Sequence, residues 1–281
     1  MPKPLSVKER IKYWQVADLS GVDLLHATYV TQTFSRHTHE GFGVGVIERG
    51  ALGFYYRGEN VVASEGLINL VNPGEVHTGH AATRQGWTYR MFYFDAEVML
   101  AAAQQITGRR QSIPFFAQGV LNDPILAASL RRLHVDLEVG QLSTLEAETR
   151  FLRILTQLIQ HHALDAPVAR HGGCEKQVVK KVCDSIEERY TENLSLNTLA
   201  EIAGLSPYHF IRVFQQQTGL TPHAYLMQKR VQRSKTLLQK GERLIDAAYA
   251  CGFVDQSHFT RHFKKTFGIT PGQYRNSVQD S

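Results

Sequence analysis

Only three cysteines occur in 281 residues, at positions 174, 183 and 251. Their number and spacing provide neither a disulfide framework nor a zinc knuckle. Buried thiols in a reducing compartment are expected instead. Also missing is any run of about 18 apolar residues, so no segment is expected to span a membrane. The opening MPKPLSVKERIKYW carries charge throughout and has no apolar core, which argues against a signal peptide. Together these absences predict a cytoplasmic protein. Acidic excess is absent too: residues 175–281 carry 15 Lys and Arg against 10 Asp and Glu, while residues 1–174 carry 16 of each. The whole surplus of +5 thus lies in the C-terminal part, which suits a polyanion-binding module joined to a neutral one.

Helical periodicity is missing between Phe34 and Phe94. That stretch holds short runs such as VGVIERG, ALGFYYRG, GLINLVNPG and YRMFYF, set apart by Gly, Asn and Pro. Strands this short, recurring about every ten residues, predict a sandwich or barrel. Before them a short helical or irregular lead-in is expected, then a strand over residues 22–31. After Asp95 the texture turns helical. A helix is expected over 96–108, and Pro114–Gln118 reads as a loop or edge strand. Asn122-Asp123-Pro124 starts a second helix ending near Gly140, with a capping side chain before a proline. Ser143-Thr144-Leu145-Glu146 is a capping box opening a third, to about Ala163. Its Leu145, Leu152, Leu155 and Ile159 share a face. The Pro/Gly-containing stretch DAPVARHGG (165–173) is the best linker. The expected division is 1–165, a linker at 166–174, and 175–281.

The second part repeats itself. Shifted by 49 residues, Phe210 meets Phe259, Arg212 meets Arg261, Phe214 meets Phe263 and Thr221-Pro222 meets Thr270-Pro271; upstream, at 48, Gly204 meets Gly252. One extra residue therefore separates glycine from second helix in the later copy. Each copy reads as a short helix, a Gly turn and an amphipathic helix, the helix-turn-helix plan, at about 194–219 and 244–268. A long helix over 222–239 joins them, with Lys229, Arg230, Arg233 and Lys235 as candidate phosphate contacts. With Phe210, Val213 and Phe214 facing the core, Tyr208, His209, Arg212 and Gln216 are left for the outer faces. In the later copy Phe259 and Phe263 face inward, leaving Gln256, Ser257, His258, Arg261 and Lys264 outside. Arg forks onto guanine and Gln onto adenine in the major groove, so a duplicated reader of double-stranded DNA is indicated.

The repeat resembles the AraC/XylS family of bacterial transcription regulators. The resemblance is carried by A-x-x-A-G-L-S-P-Y-H-F-x-R-x-F (200–214), by G-F-x-D-Q-S-H-F-x-R-x-F-K-K-x-F-G-I-T-P-G-Q-Y-R (252–275), and by the linker helix R-V-x-x-S-x-x-L-L (230–238). It implies two helix-turn-helix units that place recognition helices in successive major grooves of promoter DNA. Base-facing positions carried over are Tyr208, Arg212, Gln256, Ser257, His258 and Arg261. It also implies an N-terminal β-barrel that binds a small effector, followed by helices that form a homodimer. Such a protein activates or represses according to where its site lies relative to RNA polymerase.

The N-terminal part is similar to a cupin barrel. His37-x-His39 and Gly74-x-x-His77 stand where that fold contributes histidines, making His37, His39 and His77 candidate metal ligands for a divalent ion. Gly43 and Val44 occupy the positions where a catalytic cupin carries its glutamate, so turnover is not expected. Candidate ligand-binding residues are His37, His39, Tyr55, Glu75, His77, Trp87, Tyr89 and Arg90, aromatics with a few polar groups. The alternatives are a metal-dependent cupin enzyme fused to a DNA-binding tail, and a constitutive DNA-binding protein whose barrel only dimerises.

Overall fold

The structure, a computed structural model, describes residues 9–140, 142–164, 176–267 and 269–279. The expected linker at 166–174 lies outside them. The chain divides into two compact units, Met1–Leu142 with Arg150–Arg170, and Ser143–Thr149 with His171–Ser281.

The first unit is built on nine strands: β1 (Arg10–Gln15), β2 (Val22–Tyr29), β3 (Thr33–His37), β4 (Phe42–Tyr56), β5 (Glu59–Ser64), β6 (Ile68–Val71), β7 (His77–Ala81), β8 (Trp87–Phe94) and β9 (Val120–Leu121). One path runs β1-β2-β8-β4-β6-β9, while β4 also pairs β5 and β7, and β7 pairs β3. All these pairings are antiparallel. β4 is shared between both groups of strands, so the sheet wraps around a cavity as a barrel. VGVIERG and ALGFYYRG are therefore one strand, not two. The register shifts between Ile47 and Arg49, and Gly50, at φ 72°, lets the strand bend there without ending. β1 is a strand where a helical or irregular lead-in was expected. It lies exposed at the sheet edge, paired along its length with β2, so burial imposes no alternation on its sequence.

Helices α1 (Ala96–Thr107), α2 (Pro124–Glu138) and α3 (Thr144–His162) follow. The predicted starts are there: Asp123 accepts from the Leu126 amide with Pro124 behind it, and Ser143 Oγ accepts from the Glu146 amide. The outward face of β8 packs beneath helices, with Phe92 and Phe94 each within 6 Å of the Phe151 ring, at 5.9 and 5.6 Å.

The second unit contains α4 (Lys176–Glu188), α5 (Leu196–Ala203), α6 (Pro207–Thr218), α7 (Pro222–Gln239), α8 (Leu244–Ala250), α9 (Gln256–Phe267) and α10 (Pro271–Gln279). Its core is phenylalanine-rich: Phe210, Phe214, Phe259 and Phe263 are fully buried, and Leu226, Val231 and Leu238 of α7 pack with them in the interior. α10 continues past Arg275 to Gln279. Cys183 and Cys251 are free thiols, half-buried and buried.

Candidate functional site

Two sites emerge, one in each unit. In the helical unit each repeat is set by caps. Ser195 accepts from the Thr198 amide to start α5, and Ser206 accepts from the His209 amide with Pro207 next to start α6. In the later copy Asp255 Oδ1 takes the His258 amide at 2.6 Å. Gly204 turns α5 toward α6 at φ 65°, a left-handed conformation that costs other residues 1–2 kcal/mol or about that. Gly252 does the same at φ 77°, and a Cβ there would meet the Thr191 carbonyl oxygen at 2.6 Å. The extra residue of the second copy lies between Gly252 and α9, as the sequence offset required.

On the outer side of α6, Tyr208, His209 and Arg212 are half-buried and Gln216 is exposed. On α9, Gln256, Ser257, Arg261, Lys264 and Lys265 are exposed, and with Thr260 they line one shallow open depression. Among the described residues no carboxylate lines it, so three cations and three polar side chains meet there, a surface matched to phosphate and base edges.

His258 does not belong with them. It is 5 % exposed, its ring edge-on to Phe253 at 5.6 Å and His262 at 4.6 Å, and both ring nitrogens lack partners. Reading only Phe259 and Phe263 as inward made the buried face too narrow. Phe253, which stands where the first copy has Leu205, packs against the helix and extends that face to His258 and His262. Burial pulls the pKa of both imidazoles down, His262 to about 4.

The cations of α7 also have other partners. Arg230, 4 % exposed, donates to the Tyr190 and Glu192 carbonyls at 2.6 and 2.7 Å. Lys229 pairs with Glu187, Arg233 lies over the Tyr190 ring, and Lys235 over Phe267 and Tyr274.

In the barrel a cavity of about 130 Å³ is lined from six strands, β2, β3, β4, β6, β7 and β8. Alternation on β8 turns Trp87, Tyr89, Met91 and Tyr93 toward it. His37, His39 and His77 converge there, with ring centroids 4.2 Å (His37–His77) and 4.8 Å (His39–His77) apart. Their Nδ1 atoms face the carbonyls of Ser35, Gly41 and Glu75 at 2.8, 2.8 and 3.0 Å. A carbonyl only accepts, so each Nδ1 carries a proton, and in a neutral ring Nε2 is left as an acceptor. Burial lowers the pKa of His39, and that of His77 to about 4, so both are neutral at pH 7.

Of the eight ligand candidates, His37, His39, His77, Trp87 and Tyr89 line the cavity, and three do not. Arg90, next to Tyr89, points to the opposite face of β8, where it is 7 % exposed and pairs with Glu48 at 2.9 Å and Glu138 at 2.5 Å. Tyr55, between the lining Phe54 and the inward Tyr56, faces out beneath the Arg36 guanidinium at 4.9 Å. The Glu75 side chain pairs with Arg57; only its backbone serves the site. Tyr29, Phe34, Asn69 and Tyr93 line the cavity and escaped the sequence reading. The signal for Tyr93 was present, two strand positions from Met91 and four from Tyr89.

The three histidines do not fit a metal. Among the described residues, the group of three whose donor atoms all lie within 4.8 Å of one another is Asp123, His161 and His162, not the barrel set. The donor atoms of the barrel set are not so gathered, and the cupin glutamate is replaced by Gly43 or Val44. In the Asp123 group, the carboxylate is already engaged as the α2 cap and by His162 at 3.0 Å.

Comparison with known proteins gives both units a family. Residues 19–155 match the AraC-like ligand binding domain, and residues 199–277 a helix-turn-helix domain. The uncharacterized HTH-type transcriptional regulator YbfI of Bacillus subtilis is 36 % identical over 229 residues, covering 82 % of this chain and 82 % of that protein. The HTH-type transcriptional activator RhaS of Pectobacterium carotovorum is 26 % identical over 260 residues, covering 87 % and 88 %. Among solved structures, the DNA-binding domain of AdpA in complex with a target DNA is 26 % identical, with a TM-score of 0.34, over 39 % of this chain and 96 % of that one. These relatives are transcriptional regulators, not enzymes. No helix among the described residues is long and apolar enough to cross a membrane. With a ligand-binding domain ahead of a duplicated helix-turn-helix reader, the chain belongs to the AraC family of DNA-binding transcriptional regulators.

Proposed function

We propose that this regulator reads promoter DNA through α6 and α9 and that a small molecule held in the barrel cavity controls that reading. The observation that carries it is the repeat itself: Arg212 and Arg261 occupy the same slot in two capped helices, each on the side away from the phenylalanine core. Tyr208, His209 and Gln216 on α6, and Gln256 and Ser257 on α9, are the proposed companions; His258 acts through packing. His37, His39, His77, Trp87 and Tyr89 are the proposed effector contacts. Residues 1–165 form the effector-binding part and 175–281 the DNA reader. Effector binding shifts the population toward the form that fits the promoter.

The working assembly we propose is a cytoplasmic homodimer that meets RNA polymerase at the promoter. It does not use the leucine face of α3, because Leu145, Leu155 and Ile159 are buried within the chain. The exposed apolar residues Ile125 and Val139 of the α2 segment are the proposed substitutes; sedimentation of Ile125→Glu tests this, a dimer unchanged by it counting against that surface. For DNA, Arg212→Ala and Arg261→Ala should each weaken binding by about 1–3 kcal/mol and relax base preference locally. A footprint left intact by both substitutions refutes the assignment.

A further inference from the structure

Outside the barrel cavity, two helix ends of the first unit gather side chains of the kind that hold metal ions. Asp123, His161 and His162 bring one carboxylate oxygen and two imidazole nitrogens within 4.8 Å of one another. Asp123 stands at the N-terminus of α2, and the two histidines lie in the last turn of α3. None of the three lines the cavity.

The two oxygens of Asp123 have separate tasks. Oδ1 accepts from the Leu126 amide at 3.0 Å and caps α2. Oδ2 accepts from His162 Nε2 at 3.0 Å. An ionised carboxylate only accepts, so that nitrogen carries the proton. A metal ion can take the place of this proton, which passes to solvent, and leave the cap intact. Donors bound to one tetrahedral zinc at about 2.0–2.1 Å stand about 3.3 Å from one another. The Asp123–His162 pair is already near that spacing. Their side chains are only 18 % and 20 % exposed, whereas His161 is exposed. His161 is therefore the ligand that moves, and turning its ring by about 1.5 Å or less closes the set.

The ligand types name the ion. Two imidazoles with one carboxylate suit zinc, with copper and nickel as competitors. Magnesium and calcium are held by oxygen ligands in larger number, which this set does not supply.

We propose that Asp123, His161 and His162 form a zinc site that ties the first turn of α2 to the last turn of α3. Three protein ligands leave one position to water, whereas structural zinc sites close with four. The ion is thus exchangeable, a bound regulator of this helix pair rather than a condition of folding. The site depends on neither the effector cavity nor the DNA-reading helices.

The test is calorimetric titration of zinc chloride into the untagged full-length protein, with magnesium chloride as the control ion. One zinc per chain should bind with a micromolar Kd or tighter and raise the melting temperature, because it binds the folded state. EDTA should reverse that rise without unfolding the protein. His161→Gln removes an exposed ligand and leaves the interior alone. Asp123→Asn keeps the cap, since asparagine caps a helix as well as aspartate, and removes the anionic ligand. Each should weaken zinc binding at least about tenfold, a loss seen even when only a supporting neighbour of a metal ligand is removed. His77→Gln, in the barrel, should leave binding as it was. Melting curves without metal show which variants fold, and if Asp123→Asn does not, His161→Gln alone decides. Absence of zinc binding in the micromolar range overturns the proposal, as does magnesium binding equally well. So does a smaller loss in either folded variant, or loss of binding in His77→Gln.

Discussion

Replacing Arg230 by Met separates two roles that an arginine on a DNA-binding protein can play. Its guanidinium holds the turn between α4 and α5 to α7 through the carbonyls of Tyr190 and Glu192. Hydrogen bonds from a charged donor contribute about 1.5–3 kcal/mol each. Burial opposes them, pushing the Arg230 pKa down to about 10, which corresponds to about 3 kcal/mol of desolvation recovered on substitution. The net cost of Arg230→Met is therefore about 2 kcal/mol. For a helical unit of this size that is a fall of about 8 °C in melting temperature. The assay pairs calorimetry with DNA binding at several salt concentrations. A phosphate contact would show the opposite pattern: an unchanged melting temperature and a log–log salt slope smaller by about 1. That result would refute the structural role.

Acid should weaken the fold through two buried histidines. His77 and His134 are buried and have pKa values of about 4 and about 3, below the usual 6.5. The unfolded chain therefore takes up protons first, and the stability present above pH 6.5 is lost as pH falls toward 4 and 3. At pH 5 each contributes about 2 kcal/mol of destabilisation; a urea midpoint equal at pH 7.5 and 5.0 would contradict this. Glu48 and Glu138 lie near 2, so their contribution survives in that window. Gly204→Ala should cost about 1–2 kcal/mol for its positive φ alone, since a Cβ there meets nothing within 4 Å. Gly252→Ala should cost more, because its Cβ also strikes backbone, and melting curves of the two variants should rank them so. Asn72→Ala removes donations to Tyr56 Oη and the Phe116 carbonyl and the acceptance from the Phe116 amide. A loss of about 3 kcal/mol in denaturant unfolding is expected.

Features fixed by near neighbours in the chain were legible from the sequence. The cap at Asp123, the capping box at Ser143, the turn at Gly204 and the length of α7 all depend on a few adjacent residues. What depended on strand pairing was less so. Gly50 looks like a turn in any local window and becomes a bend only because β4 pairs on both sides of it. β1 carries charge because nothing covers it, so its sequence has no strand-like alternation to read. Tyr55 and Arg90 were grouped with Trp87 and Tyr89 by side-chain type, although neighbours on a strand face opposite ways, Tyr55 against Phe54 and Arg90 against Tyr89. His258 was misplaced for a different reason. Two inward phenylalanines define the centre of a helix face but not its width, and the width here is set by Phe253 from the preceding turn.

The repeat invites treating its two recognition helices as exchangeable cassettes, and the packing forbids it. Residues 256–267 carry two histidines shaped to a pocket that Phe253 closes, and the first copy, one residue shorter at its turn, provides no such phenylalanine. The turn of the second copy touches the backbone of Thr191, whereas the turn of the first stands in open space. The two halves of the repeat are thus non-equivalent parts, each fitted to its own neighbours. Altered DNA preference is best sought by exchanging exposed side chains one at a time, at Arg212, Gln216, Gln256 and Arg261, because a transplanted helix would import a buried surface made for another seat.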